Sequence, residues 1–128
     1  MIYILLNLYP ILAATLAALI IDAVWLRLAR QPVPGPGQLI VIALAQFWFA
    51  AILAGALILA PPKADPWVMA IGSAVVIWIG FVAPALIVTH LARRAGVATA
   101  LLDSAHWLAV MVAEAVVLKS IGLVPPPA

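Results

Sequence analysis

The sequence predicts an all-α membrane protein, four transmembrane helices in an up-down-up-down bundle, and three observations carry that prediction. Of its 128 residues, 69% are hydrophobic and 8% charged, with a mean hydropathy of +1.31, whereas a soluble surface needs roughly a quarter of its residues charged. The apolar residues gather into four runs, at about 5–28, 38–60, 67–91 and 98–121, each near the ~20 residues that cross a ~30 Å hydrocarbon layer. Between the runs lie short turns rich in proline, glycine or arginine. Because these parts use up almost the whole chain, we expect one membrane domain over 1–128 and no soluble module.

The first run opens with MIYILLN, which lacks a basic n-region and is followed by no small-residue cleavage site, so it is expected to stay on the protein. Asn7 and Pro10 sit near its outer end, where a proline in the first turn costs little. Asp22 is the anomaly, because its place before Leu28 sets it roughly 9 Å inside the interface. Trp25 and Arg27 follow at the level where indole rings and snorkelling guanidinium groups are favoured. The turn from Arg30 to Gln38 interleaves prolines with glycines and cannot continue a helix, nor can it form a glycine-rich phosphate loop.

The second run carries no charge, and it contains Gln46, a central Phe47, Trp48 and Phe49, and Ala51 and Gly55 at the small-xxx-small spacing of packed membrane helices. Pro61 to Pro66 is the second turn, and Trp67 marks the membrane surface where the third run begins. In that third run Pro84 removes the donor to the carbonyl of Gly80, which predicts a kink in GFVAP. A freed carbonyl in lipid needs another partner, so this bend is expected to face the bundle. His90 lies near the end of the run, ahead of the turn at Arg93 to Gly96.

The fourth run supplies most of the chemistry. At roughly 100° per residue, Asp103, His106, Trp107, Val110 and Glu114 fall within an arc about 100° wide, so its titratable groups share a face. Leu101, Leu108, Val112 and Val116 form a lipid side, and Ala105, Ala109 and Ala113 form a third strip, suited to helix packing. Basic residues set the orientation: Arg27, Arg30, Arg93 and Arg94 stand at one end of the bundle, against Lys63 and Lys119 at the other. The positive-inside rule then puts both termini on the non-cytoplasmic side. LAR recurs at Leu28 to Arg30 and Leu91 to Arg93, each time before a run with a mid-membrane tryptophan, as in two hairpins of one orientation.

Gly80 to Pro84, followed by Leu102, Asp103, Ser104, Ala105, His106, Trp107, Leu108, Ala109 and Val110, resembles domain-of-unknown-function family 1761, small bacterial four-helix membrane proteins. The likeness is best over 79–122 and thinner in the first half, where Ala23 to Trp25 is comparable; Glu114 stands where that family's pattern carries an uncharged residue. The resemblance implies the fold, a bacterial inner membrane and weight on Asp103, His106 and Trp107. It implies no activity.

Three groups of residues are candidates for chemistry. Asp22, His90, Asp103 and His106 lie at similar depth and suit either proton relay or pairing that pins helix ends, with Arg27, Arg93, Arg94 or a histidine as partner. His90, Asp103 and His106 are also a weak metal candidate, because the i, i+3 spacing of Asp103 and His106 lets both point at one ion. Glu114 is a proton or cation site, or binds the partner group of another subunit, or is a protonated acid held by hydrogen bonds inside the bundle. Trp48, Trp78 and Trp107 sit near mid-membrane, away from the interfacial belts, where they fill space or line a slot for a flat hydrophobic pigment or quinone. No motif demands a cofactor, no catalytic group is assigned, and the basic excess reports topology rather than nucleic-acid binding. With no cysteine, disulfides and thiolate chemistry are excluded. The first expectation for function is a non-enzymatic accessory or scaffold subunit, packing against itself or a larger membrane complex. The alternative is a small proton- or cation-coupled transporter using the Asp22, Asp103, His106 and Glu114 seam.

Overall fold

The computed structural model describes residues 1–128 and contains helices and turns but no strand. In order they are α1 (Ile2–Leu6), α2 (Leu8–Leu28), α3 (Pro36–Leu59), α4 (Pro66–Ile77), a π-helical turn (Trp78–Val82), α5 (Ala83–Ala92) and α6 (Val97–Ile121). The segment from α4 through α5 is one continuous span, Pro66–Ala92, so four spans are long and apolar enough to cross a membrane. The chain is a multi-pass integral membrane protein, and its backbone polar groups are satisfied within the helices, as hydrocarbon requires.

The last helix, α6, is the hub, packing against α2, α3, α4 and α5. Its inner face presents Ala100, Ser104, Val110, Met111, Glu114, Ala115 and Leu118. Ten of the fifteen buried apolar residues of the protein are alanines. Small side chains let helix backbones approach, which matters here because lipid tails are as apolar as any core and association rests on close packing. The strip expected to pack, Ala105, Ala109 and Ala113, does not do so: Ala105 and Ala109 are exposed and Ala113 is half-buried. Three spans gather on the polar side of α6, where side chains need protein partners, and the alanine strip is left on the lipid side with Leu101 and Val116.

Local sequence explains where each helix starts and stops. Pro36 opens α3 while the Gln38 side chain accepts from the Gly35 N–H at 3.0 Å. Pro66 opens α4 while Asp65 accepts from the Trp67 N–H at 2.9 Å. At the arginine-rich end, α2 and α5 finish alike, with Arg30 (φ 53°) and Arg94 (φ 58°) in the left-handed region. Each is followed by an N–H that reaches back to close the helix, Gln31 to Leu26 and Ala95 to His90, both at 2.9 Å. The left-handed residue ends the first LAR but lies one position beyond the second, so the two hairpins are alike without being in register.

Three features differ from expectation. Pro84 does not face the bundle: a π-helical turn precedes it, the Ala83 N–H bonds to the Trp78 carbonyl five residues back, and Gly80 and Pro84 are both exposed. From that wide turn the Trp78 Nε1–H donates to the Ser104 carbonyl at 2.7 Å. The first run is broken at Asn7, so that α1 folds over α3. There the Tyr3 hydroxyl donates to the Ala51 carbonyl at 3.0 Å, and Gly55 makes room, since a Cβ at that position would sit 2.9 Å from the hydroxyl. Finally, VPPPA, by its sequence a short extended tail, is held at its first residue: Asn7 donates to the Val124 carbonyl at 2.8 Å and accepts from the Val124 N–H at 2.7 Å.

Candidate functional site

The buried polar groups of α6 do not converge on one point but divide among its neighbours. Asp103 turns to α5, where the His90 Nε2 lies 2.6 Å from its Oδ2. The other ring nitrogen of His90 meets the Leu86 carbonyl at 2.8 Å. A carbonyl only accepts, so Nδ1 carries hydrogen, and a second hydrogen must lie between Nε2 and the carboxyl group. The pair is therefore either imidazolium with carboxylate or imidazole with carboxylic acid, one shared proton in both descriptions.

His106 turns the other way, to α2. Its Nε2 lies 2.9 Å from Oδ1 of Asp22, and the Gln46 amide of α3 donates to the other oxygen, Oδ2, at 2.7 Å. Trp25, one helical turn beyond Asp22, stacks on the imidazole with the rings 5.1 Å apart and 3° from parallel, which fixes the plane in which His106 points. Both carboxylate oxygens of Asp22 thus receive N–H donors, and the His106 Nε2 carries the hydrogen that points at Oδ1. Its Nδ1 has no partner within the chain. Both aspartates pair with histidines and none with Arg27, Arg93 or Arg94.

The metal candidate is corrected by this arrangement. Although Asp103 and His106 are one turn apart, they belong to different pairs, and no three metal-ligating side chains come together. The tryptophan trio is corrected too. Trp48 is 50% exposed on the outer face of α3, Trp78 is bound to α6, and Trp107 leans on Phe49 at 5.2 Å, so the three line no common slot.

A different cavity exists that the sequence pattern did not indicate. Between α2, the first turn and α3 lies a lateral groove of about 500 Å³, walled by Trp25, Leu26, Ile42 and Trp107. Arg27 stands at its mouth, and Asp22, Gln46 and His106 form its floor. Gln46 is the residue that sequence reasoning passed over; an amide in an otherwise uncharged run, facing an aspartate in the neighbouring run at matching depth, was the signal.

Glu114 lies deeper. It is fully buried on α6, two turns beyond His106 and roughly 12 Å further along the axis. Neither carboxyl oxygen has a hydrogen-bond partner, and the same is true of the buried Oε1 of Gln46. Lys119 does not help, since its ammonium sits over the Trp67 ring at 5.8 Å. An ionised carboxylate without a donor in a dry interior costs many kcal/mol. Glu114 is complete only with a proton, or a cation, on its oxygens. No family model, curated protein or solved structure matches the chain.

Proposed function

We propose that this multi-pass membrane protein is a small, non-enzymatic, proton-coupled carrier, with the lateral groove as its binding site and Glu114 as the group whose proton is linked to occupancy. One observation carries the reading: a carboxyl group without any donor is sealed inside the bundle, on the same helix as His106, whose partner Asp22 lies on the groove floor. A scaffold has no use for such a residue, since a leucine there would pack at lower cost. Asp22 and His106 provide a second proton-binding locus between Glu114 and the arginine-rich end. By the positive-inside rule that end is cytoplasmic, both termini lie outside, and the membrane is the bacterial inner membrane that the resemblance to family 1761 implies. Four spans enclose no complete path, so the carrier works as a homo-oligomer.

The test is current measured on solid-supported membranes loaded with proteoliposomes, while amphiphiles of cationic, neutral and anionic type are applied across a pH step. Wild-type protein is expected to give a pH-dependent current with one of these types, and Glu114→Gln none, though it elutes unchanged on gel filtration. Currents identical in the two proteins would overturn the reading.

A second reading, the accessory subunit, is favoured by Trp48. Its indole is half exposed near mid-membrane, and its N–H has no acceptor within the chain. A polar N–H in hydrocarbon is satisfied by a neighbouring protein at least as readily as by lipid. Co-purification of a second membrane polypeptide that Trp48→Phe releases would support it.

A further inference from the structure

The groove floor presents the Asp22 carboxylate and the Nδ1 of His106, which has no partner within the chain and is an acceptor when hydrogen sits on Nε2 alone. No Lys or Arg pairs with Asp22, whose partners are the Gln46 amide and His106. The N–H donors of the floor are turned onto Asp22, and no fixed positive charge stands beside it. The walls add two indole rings, Trp25 and Trp107, and aromatic rings are favourable neighbours for a cation. The volume, about 500 Å³, falls within the range of sites for small organic ligands. Arg27 at the mouth is the one fixed cation facing the groove, and it disfavours a ligand with a second positive charge at its outer end.

We infer that the groove binds a hydrophobic monoamine in its protonated form, the ammonium N–H donating to the His106 Nδ1 on the floor beside Asp22 and the apolar body lying between Trp25 and Trp107. This deepens the carrier reading by naming its substrate class, but the binding step stands without it. The inference is specific about hydrogen, since charge alone would leave the His106 Nδ1 without a donor.

Two probes of equal charge separate these factors: N,N-dimethyl-1-naphthylmethylamine, protonated at neutral pH, and its trimethylammonium analogue, which has no N–H. Quenching of tryptophan fluorescence in lipid nanodiscs, corrected for empty discs, measures binding of each. The tertiary amine is expected to bind about tenfold or more tightly than the quaternary ion. Asp22→Asn should abolish the binding of both, and so should Ala45→Phe, which fills the groove from α3 without touching the floor. Equal affinity for the two ions overturns the inference, as does stronger binding of 1-naphthylacetate, or amine binding that survives both substitutions. If amines bind as expected but drive no current, the inference holds and the carrier reading falls. If they do not bind while another type of amphiphile drives a Glu114-dependent current, the carrier reading holds and the inference falls.

Discussion

At the scale of single residues, the two histidines do different work although each sits beside an aspartate. His90 has both ring nitrogens engaged, by Leu86 and Asp103, so its pair is a closed unit that ties α5 to α6. His106 has one nitrogen committed and one free, in a groove, so its pair can take up a further proton or a ligand. Asp103→Asn should therefore lower thermal stability, since an amide leaves His90 with a mismatched partner in a half-buried site, by about 1–3 kcal/mol. It should leave the current in proteoliposomes intact. His106→Gln should do the opposite, with a small change in the unfolding midpoint and a lost or pH-insensitive current. A stability assay beside the supported-membrane measurement checks both. That the seam contained Asp22, Asp103 and both histidines was legible from depth and helical phase. Which aspartate met which histidine was not, because i, i+3 neighbours on one helix diverge when different helices flank that face.

At the scale of elements, the caps and turns were largely readable, because proline, glycine and aspartate act on their nearest neighbours. Asp65→Ala removes the acceptor for the Trp67 N–H and should cost about 1 kcal/mol, seen as a lower melting temperature in detergent. Arg94→Gly should raise it, since a side chain at φ 58° is strained and relief is worth about 1 kcal/mol. Arg30 offers the same comparison at the other hairpin. The π-helical turn escaped the sequence: a proline announces a lost hydrogen bond, but how the preceding turn rearranges depends on what the neighbouring side chains find, here Trp78 on the Ser104 carbonyl. The Asn7 clamp escaped for a similar reason, since its partner Val124 is far away in sequence and the bond is to backbone.

At the scale of the whole molecule, hydropathy alone dictated four spans, because a chain with so little charge has no other solvent, and the four helices follow the expected runs to within a few residues at each end. Lateral organisation was harder. Composition cannot say which small-residue strip meets a neighbour within the chain and which meets lipid or a second copy, and on α6 Ala105 and Ala109 fell on the outer side while Ala100 and Ala115 fell on the inner. If the carrier is a homo-oligomer joined through that strip, Ala109→Leu should convert it to monomer by light scattering and reduce current in proportion, while amine binding in the groove persists. Unchanged mass with unchanged current would place the interface elsewhere.

The central claim is that Glu114 holds an exchangeable proton in the middle of the bundle. Infrared difference spectroscopy of the wild type against Glu114→Gln, in lipid near neutral pH, reads it directly. The account predicts a protonated-carboxyl carbonyl band that belongs to Glu114 and shifts in deuterium oxide. A spectrum in which Glu114 contributes only carboxylate bands, or a carbonyl band that deuterium oxide never moves, would contradict it.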